Sequence, residues 1–194
     1  MRYHESLGLS RAEFDRLRDD FRRRTYAGRT YRFLPDDRNG LYRGTVLIAD
    51  TVVHGFPKIP RTLVLREGVP RYFDGPLVAE EKLNGYNTRI VRIDGDLLAF
   101  TRGGLVCPFT TYKVRELLGD VLTAFFDAHP DVMVCAEGIG PENPYTAHEY
   151  PDVASLAFRV FDIRDRESGD SWSVDARREY CEAFDIPPVP HLGS

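Results

Sequence analysis

The stretch TRIVRIDGDLLAF, residues 88–100, constrains the fold more than any other part of the chain. Apolar runs flank an Asp94-Gly95 pair, and such a pair readily takes the left-handed backbone that a two-residue hairpin needs. Antiparallel pairing is expected here. Further strand-like runs are GTVLIAD (44–50), RTLVL (61–65), PLVAEEKL (76–83), VMVCAEG (132–138) and AFRVFDIRD (157–165). Two stretches carry helical spacing instead. In residues 111–128, Val114, Leu117, Leu118, Val121 and Phe125 recur at helical intervals, and a short helix is expected over 174–185 after Ser173. Near the N-terminus Ser10 and Glu13 form a capping-box pattern, Phe14, Leu17 and Phe21 make a narrow apolar stripe, and Gly28 is a stop signal. Together they predict a helix through SRAEFDRLRDDFRRRTYAG (10–28). Strands in groups with helices between them indicate an α+β fold, with antiparallel sheets and flanking helices. The expected division is a helical, Arg-rich segment over 1–43 and a larger unit over 44–194. The tail IPPVPHLGS (186–194) reads as an extended segment that neither caps a helix nor ends a strand, as if the fold stopped short of completion.

Composition narrows the function classes. At 194 residues one domain with a sizeable core is expected. The sequence has neither a run of about 18 apolar residues nor an apolar signal core, so a cytoplasmic protein without a membrane partner is expected. Cys107, Cys135 and Cys181 are odd in number and widely spaced, which suits reduced, buried thiols. The five histidines lack ligand spacing for structural zinc. A net charge of −4 gives no general sign of nucleic-acid binding. Residues 16–32 nevertheless interleave arginines with Tyr26 and Tyr31. That run reads either as a solvated helix face or as an RNA contact.

Lysine is rare: Lys58, Lys82 and Lys113 stand among 26 basic residues. Lys82 lies in EEKLNGYN (80–87), where alternation along a strand would put it on one face with Glu80 and leave Glu81 on the other. A surface salt bridge would explain the glutamates. It would not explain Gly85, which permits close backbone approach, or the amide of Asn87 just beyond it. A lysine amine attacks only when deprotonated, and an arginine does not serve in its place. Glu80 opposes deprotonation, so a reaction at Lys82 calls for a nearby arginine or a metal ion.

Four stretches in order carry a resemblance. EEKLNGYN resembles the KxxG nucleophile motif of the covalent nucleotidyltransferases, which include DNA ligases, RNA ligases and mRNA capping enzymes. FTRGGLVCPFT (100–110), VCAEGIGPENPYT (134–146) and FRVFDIRD (158–165) resemble the phosphate-binding, essential-glutamate and adenine-stacking motifs of that superfamily. The combination is most similar to the archaeal ATP-dependent RNA ligases, the RNA ligase 3 group. It covers residues 78–165 closely and implies the nucleotidyltransferase (ligase adenylation) fold. The resemblance implies that Lys82 attacks the α-phosphorus of ATP and forms lysyl–AMP. It assigns Glu81 to the adenine, Asn87 and Arg102 to phosphate, and Glu137 to the ribose or a metal-bound water. Phe161 would stack on the adenine, with Phe158 the alternative by register. Asp162, expected on the other strand face, is either a metal-supporting or a loop-positioning group. ATP and Mg²⁺ are the implied cofactors. The implied partner is RNA with a 5′-phosphate and a 3′-hydroxyl, which the AMP transfer seals. GPENPYTAHEY (140–150) reads as a loop near the site.

The same family pattern continues with EGxVxK-like and KxK-like strings, yet no lysine follows Lys113 here. The expectation is an N-terminal part of the adenylation domain, impaired by itself, with any dimerising C-terminal region of this ligase group lying outside it. The alternatives are a related DNA ligase or capping-type enzyme and an inactive nucleotide- or RNA-binding module.

Overall fold

At Asp94 and Gly95 the backbone takes φ of 50° and 84°, the left-handed pair that closes a two-residue hairpin. A computed structural model, which describes residues 3–146 and 148–193, places this hairpin in the central sheet. The chain begins with α1 (Tyr3–Ser6) and α2 (Arg11–Leu17), followed by β1 (Arg22–Tyr26), β2 (Arg29–Phe33), β3 (Val46–Ile48) and β4 (Thr51–Val53). These strands form an antiparallel meander in sequence order. Next come α3 (Leu65–Tyr72), β5 (Ala79–Glu80), β6 (Tyr86–Ile93), β7 (Asp96–Thr101), α4 (Pro108–Ala128), β8 (Val132–Ile139) and β9 (Ala157–Asp165). The central sheet has the order β7-β6-β8-β9 and is antiparallel throughout. Helix α5 (Val174–Ala183) and β10 (His191–Gly193) complete the described chain, with β10 paired to β5. The fold is α+β, with antiparallel sheets and flanking helices.

Alternation along β6 sorts its side chains to two cores. Ile90 faces Val114, Leu118, Leu122, Phe125 and Phe126 of α4. Val91 and Ile93 face the first sheet through Tyr31, Phe33, Val46, Ile48 and Val53. The central sheet is thus sandwiched between α4 and the β1–β4 sheet, and both of its faces are dry. Arg89 is fully buried on the face toward the first sheet. Its guanidinium donates to the carbonyls of Gly44 (2.9 Å), His54 (2.6 Å) and Thr101 (2.7 Å), so it ties the two sheets together. Burial pulls its pKa down to about 10, which leaves it charged at neutral pH.

Several local expectations are corrected. The capping box of Ser10 and Glu13 forms, but α2 ends at Leu17 and a single 3-10 turn covers Arg18–Asp20. The arginine run becomes β1, because Ala27 (φ 47°) and Gly28 (φ 79°) make a tight turn that pairs Arg22 with Phe33 and Arg24 with Tyr31. Burial of Tyr31 and Phe33 against the central sheet outweighs the weak helical stripe. The β1–β4 sheet therefore runs across residues 43 and 44. RTLVL is not a strand: residues 61–64 are irregular and Leu65 opens α3, between Pro60 and the helix-interior Pro70. PLVAEEKL contributes only the two residues of β5, so Lys82 lies in a loop rather than on a strand face. The C-terminal tail is built into the fold. Val160 donates to Pro187 O (2.8 Å), Val189 donates to Val160 O (2.9 Å), and Glu81 donates to Pro190 O (2.9 Å).

Candidate functional site

Lys82 sits in the loop of residues 81–84 between β5 and β6. The loop's backbone is held on every side. Glu81 N–H donates to Pro190 O at 2.9 Å, and Asn84 N–H to the hydroxyl of Tyr150 at 2.5 Å. Leu83 is buried with Ile139, Val153 and Val189. Gly85 N–H donates to Glu137 Oε1 at 2.9 Å. A Cβ on Gly85 would stand 2.1 Å from Gly138 O, so only glycine lets the loop approach β8 this closely. The side chain of Lys82 is exposed, with Nζ 3.4 Å from Leu83 O. The backbone is fixed and the amine is presented to solvent.

Asn87 on β6 and Glu137 on β8 are direct cross-strand partners. Their alternation puts them on the face that also carries Arg89 and Cys135, the face turned to the first sheet. Asn87 Oδ1 is buried without a hydrogen-bond partner. Burial raises the pKa of Glu137, while the Gly85 N–H and the charges of Lys82 and Arg102 pull it back. The charges of two cations from two different loops thus act on one carboxylate.

Arg102 projects from a tight turn after β7, in which Gly104 N–H donates to Thr101 O (2.9 Å) and Leu105 N–H to Thr101 Oγ1 (3.2 Å). Gly44 (φ 84°) fixes the turn from the other side, since a Cβ there would lie 2.1 Å from Arg102 O. Arg89, bonded to both Gly44 O and Thr101 O, locks this contact.

Phe161 occupies a β-bulge. Cys135 pairs with Asp162 and Ala136 with Val160, which leaves Phe161 without an opposite residue. Its half-buried ring meets Phe56 edge-on, with centroids 5.2 Å apart. The bulge corrects the expected alternation, because Asp162 comes level with Cys135 on the same side as Phe161. Asp162 accepts from Ser171 Oγ at 2.9 Å, and burial raises its pKa. Phe158 is 1 % exposed in the core against α4, so its ring is already committed to packing. Glu81 is exposed and is anchored through its backbone.

The structure thus brings Lys82, Asn87, Arg102 and Glu137 together at one end of the central sheet, beside the bulge at Phe161. Sequence reasoning missed two supporting residues. Arg177, buried on α5, donates to the Glu80 carboxylate and to Phe161 O, linking the lysine loop to the bulge. Glu80 is consequently paired with Arg177 rather than poised beside Lys82. The only available signal was the i, i+4 spacing of Arg177 with the buried Cys181. Tyr150 braces Asn84 from the 140–156 loop; of that loop, residue 147 lies outside the described residues.

A divalent ion fits this end of the sheet as a companion of a phosphate ligand. Among the described residues no group of three or more His, Cys, Asp and Glu could hold a metal by itself. The unpartnered Asn87 Oδ1 and the Glu137 carboxylate are oxygen donors of the kind a hydrated Mg²⁺ accepts. No helix among the described residues is long and apolar enough to cross a membrane.

Comparison with known proteins places the chain in a family. The RNA ligase family pattern matches residues 75–194. An uncharacterized protein of Methanocaldococcus jannaschii is 41 % identical over 160 residues, covering 79 % of this chain and 40 % of that protein. Two structures of an archaeal ATP-dependent RNA ligase, forms 1 and 2, superimpose with a TM-score of 0.90 at 38 % and 37 % identity. Each covers 98 % of this chain and 52 % of its own. A candidate ATP-dependent DNA ligase from Aquifex aeolicus gives a TM-score of 0.87 at 33 % identity, over 95 % of this chain and 50 % of its own. The chain spans about half the length of the structures it matches. With its lysine loop, cross-strand carboxylate and bulged aromatic in the matched region, the chain belongs to the RNA ligase family.

Proposed function

We propose that this chain carries the self-adenylylation site of an ATP-dependent RNA ligase. The observation that carries the reading is the convergence of Lys82, Glu137 and Arg102, with the lysine backbone locked and its side chain exposed. Lys82 Nζ attacks the α-phosphorus of ATP, the N–P bond forms, and pyrophosphate leaves with the electron pair of the broken P–O bond. An RNA 5′-phosphate oxygen then displaces Lys82 from the AMP. A 3′-hydroxyl attacks that activated phosphate, forms the phosphodiester and releases AMP. Arg102 and the Asn87 amide serve phosphate oxygens, where a guanidinium fork fits well. Glu81 and Phe161 hold the adenine, the latter with the exposed part of its ring. Glu137, with Asn87 Oδ1, would hold the water shell of Mg²⁺, which when bound neutralises phosphate charge.

The cation supply around Lys82 is thin. The charges that act on Glu137 are those of Arg102 and of Lys82 itself, so Arg102 is the cation this end of the sheet supplies. Slow labelling by this chain alone is therefore expected. The test is incubation with Mg²⁺ and α-labelled ATP, followed by denaturing electrophoresis. Weak covalent label on the wild type, lost in Lys82→Ala, supports the reading. Strong label would overturn only the expected slowness. Absence of label even after addition of the remaining half of the archaeal ligase would remove the ligase reading and favour an inactive nucleotide-binding module. Labelling by GTP instead of ATP would point to capping chemistry.

A further inference from the structure

Arg43 comes up against the turn that carries Arg102, and Arg24 is linked to the same turn through Phe33. Arg24 on β1 lies with its guanidinium 5.6 Å from the centroid of the Phe33 ring. Phe33 in turn packs on the turn, its Cβ 3.0 Å from where a Cβ on Gly104 would stand, so Arg24 is linked to the 101–104 turn through the Phe33 side chain. Arg43, from the connection between β2 and β3, comes in from the other side: its Nη2 would be 3.5 Å from a Cβ on Gly103. Arg24, Arg43 and Arg102 are all exposed, and among the described residues none forms an ion pair. Asp37 accepts the backbone N–H of Arg43 and pairs with Lys58 at 3.6 Å. Gly103 has no side chain beside the Arg43 guanidinium, so an anion can approach the turn there, while Gly104 is buried against Gly44 and Phe33. On a chain of net charge −4 this is a local cationic rim. Exposed Tyr42 (44 %) and Leu105 (41 %) lie beside it as flat apolar surface for unstacked bases.

We propose that this rim is the track on which the phosphate backbone of single-stranded RNA lies as its end approaches Lys82. The inference rests on the RNA ligase reading for its direction, and it assigns the Arg-rich β1 hairpin a part that the adenylylation chemistry leaves unused. Edge-strand protection is the competing role for arginines on β1. Arg22 separates the two, because it lies on the same strand but lines a cleft with Asp19, Asp20 and Asp36 rather than the rim.

The experiment measures binding of a 5′-phosphorylated single-stranded RNA to the 194-residue chain by fluorescence anisotropy over a series of salt concentrations. Each lost phosphate contact lowers the slope of log K against log salt by about 0.7, so Arg24→Gln with Arg43→Gln should lower it by about 1.4 and weaken binding about tenfold. Arg22→Gln, the same change of charge, should leave both nearly unaltered. Thermal unfolding checks that each variant folds; should the double variant fail, Arg43→Gln alone carries the test with a slope change of about 0.7. An unchanged slope, an equal loss in Arg22→Gln, or no RNA binding by the wild type overturns the proposal. So do variants that bind RNA normally but aggregate, which would mark the arginines as edge protection. ATP labelling of the wild type reports separately on the ligase reading. Label with unaltered RNA binding in the variants removes the rim alone, and rim-dependent binding without label, even after addition of the remaining half of the archaeal ligase, removes the ligase alone.

Discussion

The two flanks of Lys82 are built in opposite ways. On its C-terminal side, residues 85–91 enter the central sheet, where glycines interlock with backbone and Ile90 and Val91 are wholly buried. On its N-terminal side, residues 57–78 leave Phe56, which touches Phe161, and return at β5 with hardly any buried side chain. Ile59 is 69 % exposed, Leu63 94 % and Leu65 73 %. Position at the site is set by the C-terminal flank, through backbone packing, and by β5 just before the loop, where Arg177 holds Glu80. Residues 57–78 are tethered at both ends to the site and contribute little to holding it. Changes on the two sides should therefore differ in kind as well as size.

The largest effect is expected at Gly85. An alanine Cβ would meet the carbonyl of Gly138 at 2.1 Å, and neither backbone has a flexible end that can yield. Overpacking of this kind costs about 1–3 kcal/mol of stability. The same shift would draw Gly85 N–H off Glu137 and move Lys82, three residues away, with a loss on the order of a hundredfold in labelling rate. Denaturant midpoints and the lysine-labelling assay measure the two parts. A Gly85→Ala protein with wild-type stability and rate would show that the tight flank does not position the lysine.

A smaller effect, read through pH, is expected at Glu137. Its raised pKa means the native state holds a proton where the unfolded chain has already released it. Stability from this group is present below the usual carboxylate range and is lost as pH rises through the raised value. Glu137→Gln keeps an oxygen for Gly85 N–H and has no charge to bury. The stability difference between variant and wild type should therefore shift in favour of the variant as pH rises through that window. Denaturant titrations across acidic to neutral pH test this, and a difference that stays constant with pH would sink the assignment of burial as the dominant influence.

What could be read in the sequence follows the same division. The Asp94-Gly95 hairpin, the α4 stripe and the strands β8 and β9 were legible because local pattern and tertiary burial agree there. KLNG marked the lysine and its glycine, but the reason for the glycine, contact with Gly138 O, is a property of two strands far apart in sequence. Arg177 was illegible for the same reason: its partners Glu80 and Phe161 come from elements well separated along the chain. The arginine run of β1 misled because its helical spacing was genuine but narrow, and the deciding contacts are made by Tyr31 and Phe33 of its partner strand. RTLVL misled because β-branched and apolar composition signals a strand only where a pairing edge and a core await it.

That last error yields the smallest expected effect. If RTLVL were strand or core, replacing its leucines with serine would remove buried apolar area and cost about 1.5–3 kcal/mol for each side chain. At 94 % and 73 % exposure, Leu63 and Leu65 give up almost no burial. The double change Leu63→Ser, Leu65→Ser should therefore leave the denaturant midpoint within about 0.5 kcal/mol of wild type, as for ordinary surface positions. Serine is a somewhat poorer helix former than leucine, but Leu65 is the first residue of α3, where propensity has least weight. A loss of several kcal/mol would mean that the leucines are buried in solution. The contrast between the two flanks of Lys82 would then fail, and residues 57–78 would have to be counted among the elements that hold the lysine in place.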